Sequence, residues 1–154
     1  MNVYRLPLFV YGTLRDPDLT AMVLGRPLRA GAVHGARAPG WKAVHYPGRI
    51  YPALIRSPGS AAEGLLLTDL SPFERDLLDA YEGEEYARAP IATILADEPE
   101  LHEADAYLPV IAVPKDAHDW SLSRWQAEHK PKVLVSELAE VVRLRERLVA
   151  IRPN

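Results

Sequence analysis

Short apolar stretches separated by turn residues dominate the first two thirds of the chain and predict a sheet. The stretch Leu8 to Tyr11 is continuously apolar, as in a buried strand, and Gly12 follows where the chain must bend or approach a ligand closely. From Arg29 to Leu67 the apolar stretches predict three or four strands, separated by Pro39-Gly40, Pro47-Gly48 and Pro58-Gly59. Ala89 to Leu95 and Leu101 to Pro109 predict a hairpin, so most of the sheet is expected before residue 110.

Two helices are predicted between these strands, each with a capping signal at its start. Asp16 is the expected N-cap of the first helix, Pro17 occupies the first helical position, and Gly25 ends the helix. The sequence Ser71-Pro72-Phe73-Glu74 matches a capping box, which indicates a second helix that ends near Gly83.

The end of the chain is predicted to be helical. Asp119 or Ser121 caps a helix that Pro131 interrupts, and a second segment follows from about residue 133 to residue 148. Its apolar stripe either covers the protein's own sheet or docks another chain, and consists of Leu134, Leu138, Val142 and Leu148. Strands joined by hairpins, with helices inserted and then appended, favour an α+β fold over a doubly wound parallel sheet.

Composition narrows the classes of function. The 154 residues suffice for one compact domain, and a formal net charge of -3 gives no electrostatic reason to bind nucleic acid. The absence of cysteine excludes thiolate metal sites and cysteine nucleophiles, and the five histidines have no compact ligand spacing, so no metal is expected. Pro7 interrupts the apolar residues 6 to 10, and no apolar run has membrane-spanning length, so a cytoplasmic location is expected.

The loop Tyr11-Gly12-Thr13-Leu14-Arg15 is the first candidate for chemistry. It lies between a predicted buried strand and a capped helix, where successive backbone N–H groups can point inward. Such a cradle binds a carboxylate or stabilises an oxyanion without a charged side chain. The alternative is that Gly12 only permits a tight turn and Tyr11 only packs in the core.

Glu82 is the second candidate, because it falls in the last turn of the helix that begins at Ser71. A carboxylate there faces the negative end of the helix dipole, which raises its pKa, and burial would raise the pKa further. These effects suit a group that must both accept and donate a proton near neutral pH. Glu84 and Glu85 follow at once, so the alternative is an acidic helix end in solvent.

Together these segments resemble the gamma-glutamylcyclotransferase-like superfamily, in particular its small bacterial and plant members of the avirulence-induced-gene type. The resemblance is carried by several segments in the same order: residues 9–15 as the signature loop, residues 51–54 as the central strand, residues 78–83 with Tyr86 and Arg88 as the catalytic segment, Tyr107 as a strand tyrosine, and residues 119–125 as the C-terminal helix. Most of residues 8 to 109 is covered.

The resemblance implies a mixed, partly open small β-barrel with flanking helices. Residues 1–113 would form the catalytic domain, and residues 114–154 a helical extension packed on it. The implied reaction is an intramolecular acyl transfer that releases 5-oxoproline from a gamma-glutamyl compound, with Glu82 as base and then acid. No metal or organic cofactor is implied, and the partner is a small-molecule substrate of a monomer or homodimer.

The resemblance also implies substrate-binding residues: Tyr11, Gly12, Thr13, Leu14, Tyr86 and Tyr107. Tyrosines on strands are more often core residues, which is the alternative for Tyr86 and Tyr107. Trp41, Tyr46 and the loop after Leu108 are expected to shape the side of the pocket that receives the leaving group. A non-catalytic or substrate-shifted binding protein on the same fold is the alternative to an enzyme.

Overall fold

Five strands close into a barrel in the computed structural model, which describes residues 6 to 151. The strands are β1 (Leu8–Val10), β2 (Val33–His45), β3 (Pro52–Leu67), β4 (Tyr86–Leu95) and β5 (Leu101–Pro109). Around the barrel their order is β1, β3, β2, β4, β5. All neighbouring pairs are antiparallel except β1 and β5, which meet in parallel at Leu8 and Asp105. The mixed α+β barrel predicted from the sequence is therefore confirmed.

Within the described residues, four α-helices accompany the barrel: α1 (Pro17–Leu24), α2 (Pro72–Glu82), α3 (Leu122–Glu128) and α4 (Lys130–Ile151). The predicted caps of α1 and α2 are confirmed, because Asp16 accepts a hydrogen bond from the Leu19 N–H and both bonds of the capping box at Ser71 are present. The break before α4 falls at His129, and Pro131 lies in the first turn of α4, where its missing N–H costs nothing.

Between residues 29 and 67 the prediction of three or four strands was wrong. Two long strands, β2 and β3, run there as one antiparallel pair, and only Pro47-Gly48 lies in a turn between them. The other two Pro-Gly pairs face each other in an irregular stretch of the pairing, since Pro39 pairs with Ala61 but Trp41 pairs with Arg56. A bulge absorbs the proline and glycine residues without ending either strand.

Two apolar clusters form the core. One fills the barrel and has members on all five strands: Phe9, Ala38, Leu54, Ile91 and Ala104. The other joins one side of the barrel to the helices and includes Leu8, Val10, Leu19, Leu78 and Val141. Neighbouring residues of β1 point to opposite sides, so this strand connects the barrel interior to the helical layer.

Asp16 attaches the C-terminal helices to α1. Its fully buried carboxylate accepts hydrogen bonds from the Leu19 N–H at 2.9 Å and the Gln126 amide at 2.8 Å, and it pairs with the Lys130 ammonium at 2.9 Å. Burial acts to raise the pKa of Asp16, but these donors together outweigh burial and lower the pKa. One side chain thereby caps α1, touches α3 and anchors the start of α4.

The face of α4 that packs inward differs from the predicted stripe. Leu134 and Leu148 pack against the core, together with the buried Val141, whereas Leu138 and Val142 are exposed. Among residues 6 to 151, no helix combines the length and the apolar character that crossing a membrane requires.

Gly64 provides a test of the barrel packing. A Cβ at this position of β3 would lie 2.7 Å from ring atoms of Phe9 and would also overlap the Val10 carbonyl oxygen. We expect Gly64→Ala to lower the free energy of unfolding by about 1–3 kcal/mol or more, because backbone atoms cannot move aside. Chemical denaturation provides the measurement.

Gly35→Ala is the matched control on the paired strand β2. A Cβ there would meet only the Ala96 Cβ, at 3.7 Å, which is an ordinary contact. Equal stabilities of the two variants would contradict the barrel packing described here.

Candidate active site

A cavity of about 500 Å³ lies where the end of β1, the end of α2, the start of β4 and one face of α4 meet. Its volume is in the range of pockets that enclose a small-molecule ligand. All seven residues that the sequence singled out as catalytic or substrate-binding line it: Tyr11, Gly12, Thr13, Leu14, Glu82, Tyr86 and Tyr107. Segments from residue 11 to residue 107 thus come together at one site.

The loop after β1 offers free backbone donors to this cavity. It forms a single 3-10 turn over Thr13–Arg15, in which the Arg15 N–H donates to the Gly12 carbonyl oxygen at 3.0 Å. No described residue accepts a hydrogen bond from the N–H groups of Gly12, Thr13 or Leu14. Three successive amides beside a cavity can bind a carboxylate or a developing oxyanion.

Gly12 is required by the close approach of another strand. A Cβ at Gly12 would lie 2.6 Å from the Pro52 Cγ, at the start of β3. The chain can therefore pass Pro52 only without a side chain at this position. This packing holds the loop against β3 and sets the position of its amides at the cavity.

Glu82 is the last residue of α2 and borders the cavity without a partner. No residue described by the structure donates a hydrogen bond to its carboxylate or forms an ion pair with it. Burial, together with the like charges of the neighbouring carboxylates of Glu137, Asp79 and Glu85, raises the pKa of Glu82 to about 8. The group thus has the pKa that an acid/base catalyst near neutral pH requires.

The hydroxyls of the pocket tyrosines donate to groups other than Glu82. Tyr86 donates to the Pro52 carbonyl oxygen at 2.6 Å, and Tyr107 donates to Asp79 Oδ1 at 2.7 Å. Tyr11 donates to the Tyr107 carbonyl oxygen. These bonds hold the walls of the cavity together, while the hydroxyl oxygens of Tyr86 and Tyr107 accept no hydrogen bond from any described residue.

The residues expected to shape the leaving-group side of the pocket do not line the cavity. Trp41 does not line the cavity. Its ring instead stacks against the Arg56 guanidinium, whose Cζ lies 4.6 Å from the Trp41 ring centroid. Tyr46 lies behind the wall, with its ring 5.4 Å from that of Tyr86, and the loop after Leu108 does not reach the cavity. The remaining wall comes from α4.

Sequence reasoning missed this contribution of α4 to the cavity. Glu137, Val141 and Leu144 line it, and Glu137 Oε1 accepts a hydrogen bond of 2.6 Å from the Tyr81 hydroxyl. A signal was present, because Glu137 occupies a helical position between the inward-facing Leu134 and Val141. An acidic residue in an otherwise apolar stripe of a helix indicates a special environment.

One group of possible metal ligands occurs among the described residues, away from the cavity. Glu98, Glu100 and His102 lie together at the β4–β5 hairpin, with both glutamates exposed. His102 and Glu98 already contact each other at 3.2 Å. None of the three lines the cavity, so the candidate active site contains no cluster of this kind.

Comparison with known proteins identifies related chains. The sequence model of the family described as "Gamma-glutamyl cyclotransferase, AIG2-like" matches residues 8–127. AIG2-like protein A of Arabidopsis thaliana is 29% identical over 127 residues, which cover 82% of this chain and 75% of that protein.

Solved structures have the same fold. The solution structure of an Arabidopsis thaliana protein is similar with a TM-score of 0.66 and 25% identity, covering 99% of this chain and 98% of the other. A structure named gamma-glutamyl cyclotransferase is similar with a TM-score of 0.53 and 16% identity, covering 97% of this chain and 89% of the other.

The raised pKa of Glu82 predicts a particular dependence of stability on pH. Between the unfolded pKa of about 4.3 and the folded pKa of about 8, the folded state holds a proton that the unfolded state has lost. The contribution of Glu82 to the free energy of unfolding must therefore fall as pH rises through this window, by up to about 1.4 kcal/mol per pH unit. Glu82→Gln should remove this fall, which denaturation at pH 5 to 8 measures.

Glu84→Gln is the control, because Glu84 is an exposed glutamate two residues further along the chain. It should leave the pH dependence of the wild-type protein unchanged. If wild type and Glu82→Gln lose stability in parallel from pH 5 to pH 8, Glu82 does not titrate in this environment.

Proposed function

The chain belongs to the gamma-glutamyl cyclotransferase, AIG2-like family, and we propose that it is an enzyme that releases 5-oxoproline from a gamma-glutamyl amino acid or amine. The observation that carries the proposal is that the Glu82 carboxylate shares a cavity with the amides of Gly12, Thr13 and Leu14, and that none of these groups has a hydrogen-bond partner within residues 6 to 151. A proton acceptor and a set of oxyanion donors are the two components that this acyl transfer needs.

In the first step Glu82 accepts a proton from the α-ammonium group of the gamma-glutamyl substrate. The free amine then attacks the γ-carbonyl carbon of the same molecule, and the new N–C bond closes the five-membered ring. Negative charge moves to the carbonyl oxygen as the tetrahedral intermediate forms. The amides of the loop after β1 stabilise this charge or hold the substrate carboxylate.

In the second step the amide C–N bond breaks and the amine departs. Over the whole reaction the ring nitrogen loses two protons and the departing nitrogen gains two. Glu82 carries them in turn and ends as a carboxylate, which a pKa near 8 permits because both forms are accessible near neutral pH. Tyr11, Tyr86 and Tyr107 form walls of the pocket, and the chemistry described here uses only groups of the protein and the substrate.

A non-catalytic binding protein on the same fold is the alternative function. Glu82 favours the enzyme, because a half-buried carboxylate among other carboxylates destabilises the fold and binding alone does not require it. We also propose a cytoplasmic location, and a monomer or homodimer that acts on a small molecule and does not bind nucleic acid.

Glu82→Gln tests the proposed mechanism. The wild-type protein should release 5-oxoproline from at least one compound in a panel of gamma-glutamyl amino acids and amines, as measured by chromatography. Loss of the only proton carrier should lower kcat by about 10²–10⁴-fold or more.

Two further results define the outcome. Glu84→Gln should retain wild-type turnover, since this neighbouring carboxylate is exposed and does not line the cavity. Wild-type turnover by Glu82→Gln would exclude Glu82 as the proton carrier, and a wild-type protein without activity on the whole panel would support the binding protein.

A further inference from the structure

The α4 helix lies beyond the part of the chain that the family model matches, yet it forms one wall of the cavity. The match ends at residue 127, and α4 begins at Lys130. Glu137 is the half-buried acidic residue in this wall. The Tyr81 hydroxyl fixes Glu137 Oε1, whereas Oε2 has no hydrogen-bond partner among the described residues.

Negative charge exceeds positive charge in the cavity. Among the described residues, four glutamates line it, and the only basic residue that does so is the exposed Arg147. Two of the four have cations nearby, since Glu85 pairs with Arg49 at 3.0 Å and the exposed Glu140 lies 3.8 Å from Arg143. The other two, Glu82 and Glu137, form no ion pair with any described residue.

Glu82 and Glu137 are close enough to influence each other. Among the charged neighbours of Glu82, Glu137 has the largest effect in raising its pKa. Two carboxylates that line one cavity without an ion-pair partner among the described residues repel each other, and a ligand that carries two positive charges would relieve this repulsion.

We propose that Glu137 is a specificity-determining residue that binds a cationic group on the leaving amine of the substrate. The proposal rests on the proposed function and specifies its substrate class: gamma-glutamyl amides of amines that carry a second ammonium or guanidinium group. In this arrangement the α-ammonium of the gamma-glutamyl group lies next to Glu82. The positive charge on the leaving amine then lies next to Glu137.

The same arrangement disfavours an anionic leaving group. The carboxylate of a gamma-glutamyl amino acid would enter a wall formed by Glu137 and Glu140, where like charges repel. The volume of about 500 Å³ has room for a leaving amine beside the glutamyl group. A neutral alkylamine would fit but would leave Glu137 without a cation.

A matched pair of substrates tests this inference. The gamma-glutamyl amides of diaminobutane and of pentylamine differ only in an ammonium group that a methyl group replaces. We expect wild type to favour the diaminobutane amide at least about tenfold in kcat/KM, mainly through KM, because a charge-assisted hydrogen bond contributes about that much. Glu137→Gln should abolish this preference. Because Glu137 also raises the pKa of Glu82, the ratio of the two kcat/KM values is the readout, and turnover of the pentylamine amide is free to change.

Two control variants separate charge from structure. Glu146→Gln removes a carboxylate from an exposed position of α4 that does not line the cavity, so it should keep the wild-type preference. Tyr81→Phe removes the hydrogen bond to Glu137 but keeps its charge, and should also keep the preference. If Tyr81→Phe and Glu137→Gln lose it equally, the bond and not the charge of Glu137 is responsible.

Other outcomes would overturn the inference. If Glu137→Gln lowers kcat/KM equally on both amides and keeps the preference, Glu137 acts only on the α-ammonium or on Glu82. A wild-type preference for gamma-glutamylalanine would point to Arg147 instead. If wild type turns over neither amide, the proposed activity fails on this pair of substrates. The role of Glu137 is then tested by calorimetric titration, which measures the affinity of wild type and Glu137→Gln for the same two amides. Tighter binding of the diaminobutane amide to wild type, but not to Glu137→Gln, would support Glu137 as the cation site; equal binding would exclude it.

Discussion

The Glu82 carboxylate borders a cavity and has no ion-pair partner among residues 6 to 151, and the rest of the site depends on this arrangement. A carboxylate in such a place costs free energy, because burial removes water and Glu137, Asp79 and Glu85 add like charge. The same cost raises its pKa into the range where proton transfer in both directions is practical. A site of this kind persists only if the surrounding scaffold is stable enough to hold it.

The helix that carries Glu82 illustrates how the scaffold does so. At the start of α2, Glu74 accepts hydrogen bonds from the Ser71 N–H at 2.9 Å and from Arg26 at 2.6 Å. The hydrogen bond from Arg26 is the main cause that lowers the pKa of Glu74. One glutamate of α2 is therefore held as an anion at the N-terminus and stabilises the helix, while Glu82 at the C-terminus pairs with no residue in the described part of the chain.

The cavity has two parts with different origins in the chain. The donors of the loop after β1 and the Glu82 carboxylate lie within the region that matches the family, and they supply the groups for the proposed chemistry. The α4 wall lies outside that region and is held in place by Asp16, which pairs with Lys130 at its first residue. Of the cavity-facing residues of α4, Val141 and Leu144 belong to the apolar core, whereas Glu137 does not, so Glu137 can differ without disturbing the barrel.

Local signals in the sequence determined much of this protein. Asp16, Pro17 and Gly25 mark α1, and Ser71 and Pro72 mark the start of α2, because caps act within one turn of a helix. The resemblance of ordered segments led to the barrel and to the residues that line the cavity. Their roles in binding and catalysis stay predictions.

Only the tertiary structure decided how β2, β3 and α4 are used. Pro39-Gly40 and Pro58-Gly59 are turn signals when read locally, but pairing along the whole of β2 and β3 turns them into a bulge. Glu137 reaches the cavity because Val141 packs against the core and Tyr81 binds its carboxylate, a contact between residues 56 positions apart. Contacts between distant segments depend on how whole elements pack, and no local pattern of residues encodes them.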